Sequence, residues 1–517
     1  MATWRQRVRA RTQREVQGRN PMMNGHGKSD SPIVPTKPPN KAGKPVAEEV
    51  EGRGLAKGNS REQNALRTQG RASAQSALER VRKAVRREKK QRLTALYHHV
   101  YDIDRLRESY FALTREAAPG VDGETWRSYG KDLEANLRDL SDRLRKGAYR
   151  ALPVKRAYVP KPDGQRRPIG VPVVEDKIVQ RSTCEVLTAV YDAEFFGFSY
   201  GFRAGRDQHQ ALAALRTGLM TKKVNWVFDA DLRSFFDTLR HDWLVKFIEH
   251  RIGDRRIVRL IQKWLRAGVL EEGEHTRKEV GTVQGGSISP LLANIYLHYA
   301  LDLWVQRWRT RRAQGDVIIV RYADDFILGF EHRLEAEQFQ RDLQQRMAKF
   351  GLEVHPDKAR LIEFGRFAVQ GRDRRGQGKP ETFNFLGFTH SCGTNKAGRF
   401  EVRRQTMRKK WQAKLKEVYA TLRAKMHSPV PEQGHYLQAV MRGHINYYGV
   451  PGNRPSIAAF RFRLGWLWWK MLRRRSQRTT VTTERLRRLV EKWIPEPYLS
   501  HTYFPGFRSV RPEAGAV

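Results

Sequence analysis

The chain has 517 residues, with 98 Lys and Arg against 55 Asp and Glu, and a formal net charge of +43. This surplus favours a polyanionic partner, nucleic acid first, with a basic membrane-surface protein as the alternative. No apolar run approaches the roughly 18 residues that a spanning helix needs. The two cysteines, Cys184 and Cys392, exclude a disulfide framework and a four-cysteine zinc site.

The chain begins with residues 1–75, which are rich in Gly, Pro, Ser and basic residues. This composition predicts a disordered basic extension. The segment contains no secretory apolar core, and we expect a cytoplasmic, bacterial-type protein. A mitochondrial transit peptide is the less favoured alternative for the Arg-rich start.

Helical and strand patterns alternate over residues 76–390. Leu244, Phe247 and Ile248 share one helical face, whereas 224–228 and 317–320 have the composition of strands. The Gly- and Arg-rich stretch 371–380 predicts a loop. These patterns together predict an α+β fold.

We assign residues 391–495 to one region, in which the spacing after residue 400 is mostly helical, with predicted helices over 407–422 and 457–472. Aromatic residues and arginines alternate there, a composition that suits RNA binding by shape, phosphate contacts and stacking. For Trp466, Trp468 and Trp469 individually, a place in the helical core is the favoured alternative, because aromatic side chains dominate cores. Residues 496–517 form a basic, aromatic tail.

Two adjacent acids, Asp324 and Asp325, lie between two runs of β-branched and aromatic residues, 316–321 and 326–330. The pattern predicts a β-hairpin with two carboxylates at its tip. Adjacent carboxylates repel unless a cation lies between them, and Mg²⁺ prefers a few carboxylates together with substrate phosphates. The alternative is an ordinary polar turn, since Asp is common in turns.

A second acidic strand, 227–231, contains Asp229 and Asp231. Alternation along a strand puts both carboxylates on the same side. Together with Asp324 and Asp325 they are candidates to hold two magnesium ions roughly 3.5–4 Å apart for an in-line displacement.

The ordered motif blocks of the chain resemble those of group II intron reverse transcriptases, also called maturases. The blocks that carry this resemblance are Ala117–Gly123, Val159–Pro172, Ser199–Arg206, Gly281–Leu297, Gly351–Lys358 and Phe383–Phe388. The resemblance implies a right-hand polymerase with fingers and palm over 76–390, followed by a helical thumb and maturase domain over 391–495. His444–Val450 and Trp466–Gln477 carry the maturase part of it.

The resemblance assigns the metal site to Asp231, Asp324 and Asp325, which would hold two Mg²⁺ ions. Asp229 lies two residues before the matched position, and we interpret it as a structural acid that orients other ligands. The implied activity is RNA-templated DNA synthesis.

The implied substrate contacts come from five further positions and one aromatic gate. Lys161 and Arg167 match fingers residues that grip the incoming triphosphate, and Phe236 matches the gate that excludes a ribose 2′-hydroxyl, with Phe235 in the core. The nucleotide pocket and the primer end are assigned to Gln284, Gly285 and Lys358. Val283 stands where the family usually has Pro, and Ser287 stands where it often has an apolar residue.

The partners that the resemblance implies are a group II intron RNA, an RNA template with a DNA primer, deoxynucleoside triphosphates and a DNA target, with no membrane. Many relatives also carry a zinc-supported endonuclease, and no Cys-rich tail is present here. We therefore expect the HNH endonuclease domain to be missing and the primer to come from a replication fork or from reverse splicing. The alternatives are a splicing factor with incidental polymerase and a reverse transcriptase domesticated for defence or repair.

Overall fold

The computed structural model describes residues 75–88, 91–160, 166–271, 274–276, 281, 285–475 and 481–501. The first predicted region, 1–75, lies almost wholly outside them, as does most of the 496–517 tail. No helix of the described part is long and apolar enough to cross a membrane.

The described helices run from the N-terminal basic segment to the C-terminal region. In chain order they are α1 (75–87), α2 (Ile103–Phe111), α3 (Trp126–Tyr129), α4 (Leu133–Arg145), α5 (Val174–Tyr191), α6 (Gln208–Thr221), α7 (Phe235–Thr238), α8 (His241–Arg251), α9 (Arg255–Arg266), α10 (Ser289–Leu297), α11 (Leu303–Arg311), α12 (Arg333–Ala348), α13 (Ala368–Arg374), α14 (Arg408–Ala424), α15 (Val430–Tyr448), α16 (Arg454–Arg473) and α17 (Thr483–Trp493). Short 3₁₀ turns cover Tyr97–His99 and Gly130–Asp132, and a π-helical segment, His298–Asp302, joins α10 to α11.

The strands form three separate sheets. They are β1 (Val154–Pro160), β2 (Arg166–Val171), β3 (Trp226–Asp231), β4 (Val269–Glu271), β5 (Glu274–Thr276), β6 (Val317–Tyr322), β7 (Asp325–Phe330), β8 (Arg360–Glu363), β9 (Phe383–Phe385), β10 (Phe388–Thr394) and β11 (Phe400–Thr406). The sheet orders are β2-β1-β4-β5, β6-β7-β3-β8 and β11-β10-β9.

The β6-β7-β3-β8 sheet is antiparallel throughout and lies between two layers of helices. Strand alternation sorts its side chains by face. Phe228 and Phe330 contact Phe339 of α12 on one face. On the other face Ile318 and Ile327 join the apolar cluster that includes α6. A sheet covered on both faces is rigid, and its strand ends can position polar side chains closely.

The C-terminal helices α14, α15 and α16 enclose their own apolar core. Trp468 is fully buried there, and its indole N–H donates to Gln433 Oε1 at 2.9 Å. Burying an apolar side chain of this size contributes about 1.5–3 kcal/mol. Trp469 is half-buried, whereas Trp466 is 41% exposed. The core prediction is therefore confirmed for Trp468 and wrong for Trp466.

The predicted elements agree with the observed ones except at three places. The strand predicted over 224–228 begins at Trp226 and extends to Asp231, and the predicted loop 371–380 is helical up to Arg374. The predicted boundary at residue 390 falls within β10, and continuous helix begins only at Arg408. β10 and β11 pair along their whole length, and this long-range pairing outweighs the helical spacing that the sequence suggests.

Candidate active site

The acidic hairpin consists of β6 and β7 joined by the two residues Ala323 and Asp324. Tyr322 pairs with Asp325 across the turn, so Asp324 lies at the tip and Asp325 begins β7. Ala323 has φ +57°, as the tight primed turns of two-residue hairpins require. The tip is therefore a fixed turn that holds two consecutive carboxylates.

Strand β3 brings a third acid to this tip. Asp231 lies directly opposite Asp325 in the antiparallel register, and Asp229 lies opposite Ile327. Residues directly opposite each other have Cβ atoms about 4.5–5.5 Å apart. The structure thus brings Asp231, Asp324 and Asp325 to one end of the sheet, with Asp229 further along the same face.

The carboxylates strongly affect one another's ionisation. Burial raises the pKa of Asp325 well above its usual value, and Asp229, Asp231 and Asp324 raise it further. Burial likewise raises the pKa of Asp229 to about 6, although Arg360 opposes the change. Crowded, half-buried carboxylates favour a cation between them.

Two basic side chains reach these acids from the loop after α12 and from β8. Lys358 Nζ lies 2.7 Å from Asp231 Oδ2, and Arg360 lies 3.9 Å from Asp229 Oδ2. Lys358, assigned from sequence to the primer end, therefore contacts a predicted metal ligand. The contact of Asp229 with Arg360 is consistent with a structural role for that acid.

The donor set fits a divalent cation by its chemistry. It offers carboxylate oxygens from Asp231, Asp324 and Asp325 at one end of the sheet, and carboxylates together with substrate phosphates are the ligand type that Mg²⁺ prefers. Among the described residues no group of three or more His, Cys, Asp or Glu side chains is already arranged as a metal cage. Lys358 neutralises Asp231 in this arrangement.

A buried arginine binds the turn of the hairpin and a neighbouring helical segment. Arg321 is fully buried at the end of β6, and its Nε and Nη2 donate to the two carboxylate oxygens of Asp302 at 2.8 and 2.6 Å. Nη2 also donates to Ser199 Oγ at 2.7 Å. Nη1 donates to Asn294 Oδ1 at 3.0 Å and to the carbonyl of Ala323 at 2.9 Å. The guanidinium thus binds the turn itself.

The loop before α6 closes against the same hairpin. The Tyr200 N–H donates to the carbonyl of Arg321 at 2.9 Å, and Asn294 Nδ2 donates to the carbonyl of Gly201 at 2.7 Å. A Cβ at Gly201 would lie 2.4 Å from the Ala323 nitrogen. Only glycine allows this approach, and so the loop adds a second support to the turn.

The two members of the aromatic pair after β3 differ in burial. Ser234 has φ +46°, and this turn leads into α7. Phe235 is buried, as predicted, whereas Phe236 is half-buried with its ring 5.5 Å from that of Phe235. Phe236 is therefore the member of the pair that retains exposed surface five residues after Asp231.

The remaining predicted substrate residues are only partly described. Gly285 has φ +122°, and a Cβ there would lie 2.4 Å from the carbonyl oxygen of Gly170 in β2. The glycine therefore allows its loop to meet the fingers sheet. The Arg167 backbone pairs with Val159. Lys161, Gln284 and the side chain of Arg167 lie outside the described residues.

Sequence reasoning missed the residues that hold the hairpin, namely Arg321, Asp302, Asn294 and Ser199. One signal was available in the sequence. Arg321 interrupts an otherwise apolar strand, and a charge in such a position requires a buried partner. The identity of that partner could not be predicted, because Asp302 lies 19 residues away in a separate segment and no sequence periodicity relates the two positions.

Comparison with known proteins agrees with this geometry. Residues 159–390 match the family described as "Reverse transcriptase (RNA-dependent DNA polymerase)". The chain is 36% identical over 238 residues to protein YkfC of Escherichia coli, a match covering 41% of this chain and 62% of that protein. It is 33% identical over 207 residues to the group II intron-encoded protein LtrA of Lactococcus lactis, covering 39% and 34%. A putative COX1/OXI3 intron 1 protein of Saccharomyces cerevisiae is 28% identical over 270 residues, covering 43% and 32%.

The fold and these matches define residues 159–390 as a reverse transcriptase domain with palm and fingers. Over this part the chain is similar to intron-encoded proteins, among them the group II intron-encoded protein LtrA. It spans 62% of the length of YkfC and 34% of that of LtrA.

Proposed function

We propose that the protein is an RNA-directed DNA polymerase that also binds a group II intron RNA and promotes its splicing and mobility. The observation that carries this proposal is the register that sets Asp231 opposite Asp325 beside the hairpin tip of a reverse transcriptase domain. In the proposed reaction a primer 3′-hydroxyl attacks the α-phosphate of a deoxynucleoside triphosphate, and pyrophosphate leaves.

Asp231, Asp324 and Asp325 would hold two Mg²⁺ ions in this proposal. Bound there, the ions would lower the pKa of the attacking hydroxyl and stabilise charge on the entering and leaving oxygens. The chain's own part is to fix the three carboxylates, and the contacts of Arg321 with the Ala323 carbonyl and Asp302 support this.

The substrate would be held by residues on both sides of the acids. We assign Lys161 and Arg167 to the triphosphate, because Lys acts as a point charge and Arg as a bidentate donor toward phosphate. The sugar would rest against Phe236, and the nucleotide pocket would include Gln284 and Gly285. Lys358, already beside Asp231, is assigned to the primer end.

The intron RNA would be bound mainly by the helical region after Arg408. Phe462 is 70% exposed, and the Lys470 ammonium lies 5.4 Å from the ring centre of the exposed Trp466. The Arg473 guanidinium lies 4.8 Å from the ring centre of Trp469. Exposed aromatic rings beside cations suit base stacking and phosphate contact. This role needs none of the active-site acids, and we propose that it takes place in the bacterial cytoplasm.

Primer extension on an RNA template, with and without Mg²⁺, tests the polymerase. Asp325→Asn removes a carboxylate that would hold the metal ions, and the transition state should lose about 3 kcal/mol of stabilisation. We therefore expect the rate of extension to fall by roughly a hundredfold or more, because each 1.4 kcal/mol is tenfold in rate. Asp237→Asn is the matched control, because Asp237 is an exposed acid in α7. Undiminished extension by the Asp325 variant, or extension in excess chelator, would refute the assignment.

Splicing of the cognate intron RNA by the same variants separates the two activities. We expect Asp325→Asn to assist splicing as well as the wild-type protein does. A protein that assists splicing but extends no primer, even as wild type, would be the splicing factor of the alternative reading. Extension without any effect on intron RNA would favour the domesticated enzyme.

A further inference from the structure

A basic cavity of about 460 Å³ lies between α11 and α12. Its lining includes Trp304, Arg307, Arg311, Arg312, Arg346 and Lys349. It belongs to the α12 side of the β6-β7-β3-β8 sheet, where Phe330 contacts Phe339. Alternation along β3 and β7 turns Asp231 and Asp325 to the opposite face. The cavity is therefore separate from the candidate active site.

The cavity holds more positive charge than its own acid can balance. Asp342 is the acid in the lining, and it already accepts from Arg312 Nη1 at 2.7 Å and from the indole N–H of Trp308 at 2.9 Å. Within the described part of the chain, Arg307, Arg311 and Lys349 have no carboxylate within salt-bridge distance. Five cations thus face one carboxylate.

The arrangement is partly built in advance of any ligand. Arg346 donates to the carbonyls of Ala300 and Tyr299 at 2.9 and 3.1 Å, which fixes its guanidinium at the cavity wall. Burial lowers the pKa of Arg346, and the nearby Arg307 lowers it further. Arg307 and Arg311 stand one helical turn apart on α11, with Cβ atoms about 5–6 Å apart. Clustered guanidinium groups on rigid helices attract a polyanion.

We propose that this cavity binds the phosphodiester backbone of a nucleic acid strand that lies outside the polymerase cleft. The cations would contact successive phosphates, and the half-buried Trp304 offers an aromatic face for a base. The site is independent of the proposed polymerase chemistry, because no residue of the cavity touches the acids. The cavity would add a nucleic-acid contact on the α12 side of the β6-β7-β3-β8 sheet, away from the proposed active site.

Equilibrium binding of labelled strands at several salt concentrations tests the site. The probes are a long single-stranded RNA, a DNA of the same sequence, and a primer–template duplex too short to leave the cleft. In the double variant Arg307→Gln/Arg311→Gln, the affinity of the protein for a long single strand should fall several-fold. The magnitude of the slope of log K against log salt concentration should decrease by about 0.7 for each lost phosphate contact. The paired control, Arg127→Gln with Arg145→Gln, removes two exposed arginines that bind Glu116 and Asp142.

If the Arg307/Arg311 variant loses affinity for the RNA alone, for the DNA alone or for both, the result shows which kind of strand the cavity binds and supports the proposal. Primer extension on the short duplex should stay unchanged in the Arg307/Arg311 variant, which separates failure of the site from failure of the proposed polymerase. Lys349→Gln changes the cavity from the end of α12 and should also lower the salt slope. A decrease in this variant could not be caused by a local folding defect in α11. An affinity and slope equal to those of the Arg127/Arg145 control, or an equal loss on the short duplex, would overturn the proposal.

Discussion

Arg321 and Asp302 form a bidentate ion pair in which neither side chain has any exposed surface. The pair links β6 to the π-helical segment between α10 and α11. Such segments are rare and are frequently found at functional sites. The same guanidinium donates to the Ala323 carbonyl in the turn that holds Asp324. The position of the acidic tip therefore depends on a buried charge pair.

Arg321→Lys tests whether this pair positions the tip. Lysine keeps the charge but cannot reproduce the fork that contacts Asp302 and Ala323 together. We expect kcat for primer extension to fall by roughly tenfold to a hundredfold, because small misplacements of reacting groups have effects of that size. KM for the nucleotide should change little. Unfolding in urea should show a loss of about 1–3 kcal/mol, because buried acceptors that Arg321 now satisfies would lose their donor.

Arg105→Lys is the matched control for that substitution. Arg105 is also buried and bound to Glu185, but it belongs to α2, away from the hairpin. We expect the control to lose stability without a comparable loss of kcat. Equal losses of kcat at equal stability would show that Arg321 is merely structural.

The sequence was sufficient for those features that depend on local pattern. Alternation placed Asp229 and Asp231 on one face, and the flanking apolar runs predicted the hairpin of Asp324 and Asp325. The sequence was insufficient to predict contacts between segments that are far apart along the chain. The contact between Lys358 and Asp231 spans 127 positions, and no periodicity encodes it. The partner of Arg321 was hidden for the same reason.

Phe236→Ala should admit ribonucleotides. Phe236 keeps exposed surface although it also packs against the core, while Phe235 is buried, so removal of the ring opens space at the surface with a smaller loss of packing than removal of Phe235. We expect the preference for deoxyribonucleotides, measured as the ratio of kcat/KM values, to fall by roughly tenfold or more. Phe236→Tyr keeps the ring and should retain the preference. Unchanged selectivity in the alanine variant would remove Phe236 from the gate.

Gly285→Ala should weaken nucleotide use through strain in the loop. Its φ of +122° is unfavourable for alanine, and the new methyl group would lie 2.4 Å from the Gly170 carbonyl oxygen. We expect KM for the nucleotide to rise several-fold. Gly443→Ala is the control, since a Cβ there has nothing within 4 Å and it lies in helix α15. That change should be neutral or stabilise by about 0.4–1 kcal/mol. Equal effects of the two substitutions would contradict the prediction.

Asp176 should make the stability of the fingers depend on pH. The carboxylate is buried, accepts from the Tyr149 hydroxyl and from the Leu152 N–H at 3.2 Å, and burial raises its pKa from 3.8 to about 7. The folded state therefore keeps a proton that the unfolded state releases, so this group destabilises the fold increasingly between the two pKa values.

The expected loss is about 1.4 kcal/mol per pH unit over that window, on the order of 4 kcal/mol in all. Asp176→Asn cannot ionise and should remove this part of the pH dependence. Urea unfolding of wild type and variant at about pH 5 and about pH 7 measures it, and the difference between the two proteins cancels groups such as His298, whose lowered pKa acts in the opposite direction. If the free energy of unfolding changed equally with pH in both proteins, Asp176 would already be ionised in the folded state at about pH 5, which would contradict the prediction.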